Sequence, residues 1–174
     1  MLINLSELLS NDGEARDYKA TIDMDCFECR SGKYEIVDKN EFTLHIANVG
    51  KRKLSVDGEC TLSLNIPCDR CLEDVKTDIS FPIEKTLDLS ESDSDGIEVE
   101  EIDLCDGNNL DVDRLVHTEI LMHLPYKTLC RQDCKGLCPS CGCNLNEGDC
   151  GCVRESLDPR MSVIQDIFKQ FKEV

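Results

Sequence analysis

The sequence predicts an α+β protein: an antiparallel β-sheet or partly closed β-barrel with one packed helix, then a cysteine-rich tail and a C-terminal helix. Three observations predict it. Apolar residues alternate with polar ones over much of residues 18–82, the period-two signature of strands with one face buried and one wet. Residues 111–124 place Val112, Leu115, Val116, Ile120 and Leu124 at helical spacing. Seven of the 13 cysteines then fall within residues 130–152, spaced Cys-x3-Cys-x3-Cys-x2-Cys-x-Cys-x6-Cys-x-Cys. The chain of 174 residues has room for one full core and one small attachment. The expected division is a β-rich acidic body over 1–125 and a cysteine-rich region with the C-terminal helix over 126–174.

Taken in order, residues 3–9 suit a short helical turn with Ser6 as its cap, too short to stand alone. Tyr18/Ala20/Ile22/Met24, Phe42/Leu44/Ile46, Leu54/Val56 and Leu62/Leu64/Ile66 read as strands of an antiparallel meander. Turn signals stand at Ser31-Gly32, Lys39-Asn40, Asn48-Val49-Gly50-Lys51 and Asp57-Gly58, the last being either a turn or a bulge inside one long strand over 51–67. A Cys68-Asp69-Arg70-Cys71 knuckle follows, and the chain resumes as a strand over 75–89, where Pro82, lacking a donor, marks an edge. Residues 90–96, SESDSDG, read as a solvated acidic loop and residues 97–104 as a short strand. Asp111 or Asp113 caps the helix that follows, Pro125 stops it, and its place is across the sheet. The final helix opens with Asp158 as N-cap and Pro159 at its first position. Its stripe of Met161, Ile164, Ile167, Phe168 and Phe171 packs on the body or offers a partner-binding face.

Charge narrows the choice of partner. Residues 1–125 hold 12 Lys+Arg against 29 Asp+Glu, and residues 126–174 hold seven of each, so the whole net charge of −17 lies before the cysteine-rich stretch. Such a body repels phosphate backbones and attracts basic partners. The acidic first 17 residues lack the basic and apolar regions of a signal peptide, and no run of about 18 apolar residues occurs, so the sequence predicts a soluble cytoplasmic protein with no membrane association.

In a reducing compartment cysteines persist as thiols or metal ligands. A loop-rich stretch without a core needs coordination to offset its chain entropy. Two thiolates separated by two residues on a tight turn reach one Zn²⁺ at ~2.3 Å. Cys138-Pro139-Ser140-Cys141-Gly142 is such a knuckle, and Cys150 and Cys152 complete a closed set of four. Cys130 and Cys134 are half a site, as are Cys68 and Cys71, and the simplest arrangement joins them in a second set that staples the tail to the body. Two structural zinc ions are therefore expected, bound by Cys68, Cys71, Cys130 and Cys134 and by Cys138, Cys141, Cys150 and Cys152. Cys26 and Cys29 read as free structural cysteines, a third metal site or a redox pair. Cys60 and Cys105 read as small buried thiols, while Cys143 is either incidental or a substitute ligand. His45, His117 and His123 show no ligand spacing. No catalytic pattern is visible, and a zinc ringed by four cysteines has no open position for a water nucleophile, so the reading is non-enzymatic, with no small-molecule substrate.

Three pieces together resemble the YceD-like family, also called DUF177, of large ribosomal RNA subunit accumulation proteins: Cys68-Asp69-Arg70-Cys71-Leu72-Glu73, the helix ending Leu124-Pro125, and CKGLCPSCGCNLNEGDCGC followed by Asp158-Pro159-Arg160. The resemblance spans roughly residues 45–174. It implies a role in synthesis, processing or stability of large-subunit ribosomal RNA in a bacterial-type cytoplasm, and implies no reaction. Cys143, and the pair Cys26 and Cys29, depart from the usual pattern. Combined with the charge, it points to a basic ribosomal or assembly protein held by the body, and to RNA contact through the tail residues Lys127, Arg131, Lys135, Arg154 and Arg160. Two other classes compatible with the residues are a zinc-stapled interaction module unrelated to ribosomes and a thiol-redox or metal-storage protein.

Overall fold

The structure, a computed structural model, describes residues 1–89 and 104–152. The elements run β1 (Leu2–Asn4), α1 (Ser6–Leu9), β2 (Ala15–Ala20), β3 (Cys26–Cys29), β4 (Gly32–Lys39), β5 (Phe42–Gly50), β6 (Lys53–Pro67), β7 (Asp74–Asp88), β8 (Cys105–Asp106), β9 (Asn109–Asp111) and α2 (Val112–His123). The expected loop over 90–96, the C-terminal helix with Asp158 and Pro159, and all but the last residue of the expected strand 97–104 lie outside the described residues.

The main sheet is an antiparallel meander whose first two ribbons are each broken once. β2 and then β3 run against β5 and then β4, while β4 and β5 lie end to end along one edge of β6. β4 covers Leu62–Asn65 of β6 and β5 covers Lys53–Gly58, leaving the middle of β6 unpaired on that side. On its other edge β6 pairs β7 without interruption, from Lys53↔Asp88 to Pro67↔Asp74. The break over Asn40 and Glu41 is therefore a bend within one ribbon, not the hairpin turn that Lys39-Asn40 suggested. Gly58 sits at the bend for want of space: a Cβ there would lie 2.8 Å from the Thr43 carbonyl oxygen. It is part of the single strand β6, so the single-strand reading holds from Lys53 to Pro67, while Lys51 and Arg52 belong to the turn before it. The ends of the meander do not pair with one another among the described residues, so the sheet is open and the partly closed barrel is set aside.

The period-two pattern acts as expected. Leu54, Val56, Cys60, Leu62, Leu64 and Ile66 of β6 are buried on one face, joined by Leu44 and Ile46 of β5 and by Ile79, Phe81, Ile83 and Leu87 of β7. Val112, Leu115, Val116 and Ile120 of α2 belong to the same core. Asp111 caps α2, its side chain accepting from the N–H groups of Asp113 (3.0 Å) and Arg114 (3.3 Å). Asp113 instead accepts from the backbone N–H of Asp23 at 2.9 Å. Glu119, buried on α2, stands 2.8 Å from Lys85 Nζ on β7 as an ion pair.

A second sheet of three short strands, in the order β1-β9-β8, covers one margin of this core. Its pairing corrects the start of the expected first helix. Residues 2–4 are a strand, the helix covers only Ser6–Leu9, and the side chain next to it is Asn4, whose Oδ1 accepts the Ser6 N–H at 3.0 Å; Ser6 itself does not cap. Asn48, read as part of a turn, is buried, and its amide donates to the Leu8 and Asn11 carbonyls at 2.9 and 3.0 Å, tying α1 to the main sheet.

Candidate metal centre

The β6–β7 hairpin places the first site. Pro67 and Asp74 close its ladder, and the six residues between them form the Cys68–Glu73 loop. Cys68 N–H donates to the Glu73 carbonyl (2.8 Å) and Leu72 N–H to the Cys68 carbonyl (2.9 Å), with Leu72 in the left-handed region at φ 63°. The tail repeats this turn: Gly142 N–H donates to the Cys138 carbonyl at 2.8 Å, with φ 75°. Both knuckles thus use a positive φ one residue after the second cysteine, where glycine is the unstrained choice and leucine is not.

The chain returning from α2 docks on the first knuckle through Asp69 and Arg70. Asp69 N–H donates to the Thr128 carbonyl (2.9 Å), and the Thr128 N–H donates back to Asp69 Oδ2 (2.8 Å). Arg70 donates from its guanidinium to the Cys134 carbonyl at 2.7 Å, and its own carbonyl accepts the Leu137 N–H at 3.0 Å. Gly136 lets the two backbones close, for a Cβ there would stand 2.9 Å from the Arg70 carbonyl oxygen, and its φ of 77° also favours glycine.

This docking brings Cys68, Cys71, Cys130 and Cys134 together, all four sulfurs within 4.8 Å of one another. Cys68 and Cys134 Sγ are 3.9 Å apart and Cys71 and Cys130 Sγ 3.5 Å. Sulfurs at ~2.3 Å from a tetrahedral zinc are about 3.8 Å apart, whereas a disulfide needs about 2.05 Å. These separations fit a metal cage, and none of the 13 cysteines is in a disulfide. Burial works against ionisation of Cys68, but the backbone N–H groups of Arg70, Cys130 and Cys71 outweigh it and bring the thiol down to about 6. Asn146 does the same for Cys134, donating from its side chain to Sγ at 3.3 Å and holding that thiol below its ordinary value.

The second group is Cys138, Cys141, Cys150 and Cys152, again within 4.8 Å of one another. Cys150 is brought down to about 6, first by the backbone N–H of Cys152 and then by neighbouring thiols. The segment Asn144-Leu145-Asn146 joins the two groups. Asn144 donates to Glu73 Oε1 at 2.7 Å, Leu145 N–H to the Gly136 carbonyl at 2.9 Å, and Asn146 Oδ1 accepts the Lys135 N–H at 2.8 Å. The two groups can each hold a metal ion.

All eight predicted ligand cysteines are thus brought together in the two expected sets. Cys143 lies beside the second set and interacts with Cys141 and Cys150, and that neighbourhood raises it to about 12. Cys26 and Cys29 belong to neither group. They lie three apart on β3, so their side chains leave opposite faces, and Cys29 Sγ contacts Ser31 Oγ at 3.0 Å. Cys60 and Cys105 lie in the core, where burial pushes the Cys60 thiol up to about 11. Of the predicted RNA contacts, Lys127, Arg131 and Lys135 are exposed, and Arg154 and Arg160 lie outside the described residues. Sequence reasoning missed Asp69, Arg70, Gly136, Asn144 and Asn146, the residues that hold the two sites together.

The family model of large ribosomal RNA subunit accumulation protein YceD matches residues 56–168, more than half of the chain. Uncharacterized proteins of Mycobacterium tuberculosis and Mycobacterium bovis are each 28% identical over 101 residues, covering 58% of this chain and 48% of theirs. A chloroplastic large ribosomal RNA subunit accumulation protein YCED homolog of Arabidopsis thaliana is 34% identical over 76 residues, 44% of this chain and 21% of that one. The chain therefore spans about half the length, or less, of the curated relatives it matches. No solved structure matches. The matched region begins inside β6 and takes in both cysteine groups, and on that footing the chain belongs to the family of large ribosomal RNA subunit accumulation protein YceD.

Proposed function

We propose that the protein is a non-enzymatic, zinc-stabilised factor of the cytoplasm that supports synthesis, processing or stability of large-subunit ribosomal RNA, and that it works by holding a basic ribosomal or ribosome-assembly protein. The observation that carries the reading is family membership over the segment containing both cysteine groups. Zinc suits eight thiols in two tetrahedral sets better than the hard, oxygen-seeking cations do. Its part is structural: bound, it fixes the docking of residues 128–152 on the β6–β7 hairpin. With all four positions taken by thiolates, neither ion keeps an open position for a reacting water.

The charge supports a protein partner over direct capture of RNA. The excess of −17 lies before residue 126, and a tetrathiolate zinc site is itself net negative. The neutral tail, with Lys127, Arg131 and Lys135 exposed, is the part that touches RNA. Affinity capture of the tagged full chain at near-physiological salt, followed by sedimentation, tests the reading. Expected is co-migration with large-subunit precursors and recovery of a basic protein that persists after nuclease treatment. Recovery of naked RNA without a basic protein overturns the partner, and sedimentation away from every ribosomal particle overturns the role.

A further inference from the structure

The two cysteine groups differ in two ways that zinc binding alone does not require. In the first, Cys68, Cys71 and Cys134 are buried, Cys130 is half-buried, and the neighbouring side chain that donates to a ligand sulfur is the amide of Asn146. In the second, Cys138 is buried, Cys150 and Cys152 are half-buried and Cys141 is exposed, and beside them lies a fifth thiol, the half-buried Cys143. Cys143 is two residues from Cys141; its carbonyl accepts the Cys138 N–H at 2.8 Å, and its side chain interacts with Cys141 and Cys150. A side-chain amide cannot form a disulfide with an oxidised sulfur, whereas a thiol can.

We propose that the second site is a reversible, peroxide-responsive zinc site in which Cys143, not itself a resident ligand, is the resolving thiol. The inference rests on the reading that both cysteine groups hold zinc. Cys141 is the sulfur that a small oxidant reaches first, being the one exposed ligand of the eight. Its thiolate attacks the peroxide O–O bond, giving Cys141 sulfenic acid and hydroxide, so that the sulfur is oxidised by two electrons and the peroxide reduced. A sulfenic acid is a poor ligand, and the zinc leaves. The Cys143 thiol then attacks the sulfenic sulfur: a disulfide forms, the S–O bond breaks, and the thiol proton leaves with the oxygen as water. The same attack on Cys150, the other ligand that Cys143 interacts with, gives the alternative disulfide if Cys150 is the oxidised sulfur. A thiol reductant reverses either product and re-forms the site. The sulfurs of the first group contact one another, Glu73 and Asn146, and its buried sulfurs keep their metal.

The test uses the full chain loaded with zinc, its metal content measured first, then treated with excess hydrogen peroxide. Zinc release is followed with a chromogenic chelator, and products are mapped by mass spectrometry after alkylation. Expected is loss of one zinc of two, a disulfide that contains Cys143, and recovery of the second zinc on adding reductant and zinc. Cys143→Ser is expected to load two zinc ions, to lose one to peroxide, and to fail to recover it, ending with Cys141 as sulfinic acid. Release of both ions together, or of none, overturns the proposal. So does a Cys143→Ser protein that recovers its second ion through a disulfide among the other cysteines, and so does one that loads a single ion, which makes Cys143 a resident ligand. A wild-type protein that loads no zinc fails before peroxide is added, and then the metal-site reading falls with it.

Discussion

Gly136 and Gly142 share a left-handed backbone but differ in surroundings, and the difference separates strain from docking. A Cβ on Gly142 meets nothing within 4 Å, so Gly142→Ala should cost only the conformational penalty, about 1 kcal/mol. A Cβ on Gly136 meets the Arg70 carbonyl oxygen at 2.9 Å, and backbone is not free to give. Gly136→Ala should therefore cost about 2–4 kcal/mol and weaken zinc retention at the first site, as read by urea denaturation and a competing chelator. Equal losses in the two variants would mean that the close approach of Gly136 to Arg70 is unimportant. Residue-scale roles divide the same way in the sequence. Cys68, Cys71, Cys138 and Cys141 were legible because a knuckle is local: two cysteines with two residues between them declare themselves, and the other four ligands were found by completing sets of four. The pairing of the two half sites was legible only by counting. Asp69, Arg70, Gly136 and Asn146 were not legible, because each acts on a partner that the fold alone brings near, such as Thr128 on Asp69 across 59 positions.

At the scale of elements, α2 is held to β7 by apolar packing and by one buried carboxylate. Lys85 is about a third exposed and Glu119 nearly fully buried, so Lys85→Met strands a buried charge. The expected loss is about 2–3 kcal/mol, below the range for fully buried pairs because water reaches the lysine. Adding Glu119→Leu should restore most of it, since an apolar replacement of both partners leaves no charge to desolvate. Denaturant unfolding of the two single variants and the double one checks this, and a double variant no better than Lys85→Met contradicts the pairing. Asp111→Ala should cost about 1 kcal/mol by removing the cap of α2. The helix and the long strands were legible because their periods extend over ten or more residues. The three-residue strands β1 and β9 are too short to show a period, and they pair across more than 100 positions. The bends that break the first two ribbons are set by β6, whose length the sequence showed but whose neighbours it did not.

Among the described residues the buried apolar groups fall into two clusters. One joins the sheets and α2 and contains none of the eight ligands; the other is built on Cys68, Cys71 and Cys134 with Leu129, Cys130 and Leu137 around them. Metal should therefore govern the second cluster and leave the first standing. Stripping zinc with a strong chelator is expected to abolish amide-exchange protection over residues 128–152 while β6 from Leu54 to Leu64 stays protected. Loss of protection everywhere at once would show that the body depends on metal too. The chain is then an acidic β-meander whose β6–β7 hairpin carries at its tip a clamp of cysteines able to hold metal.

That clamp is tested most directly by counting metal. Elemental analysis of the native chain should find two zinc ions per molecule, and Cys68→Ser and Cys150→Ser should each find one, by losing different sites. Two ions retained in Cys68→Ser would contradict the account, because the residues 60 positions apart that the fold brings together would then not share a metal.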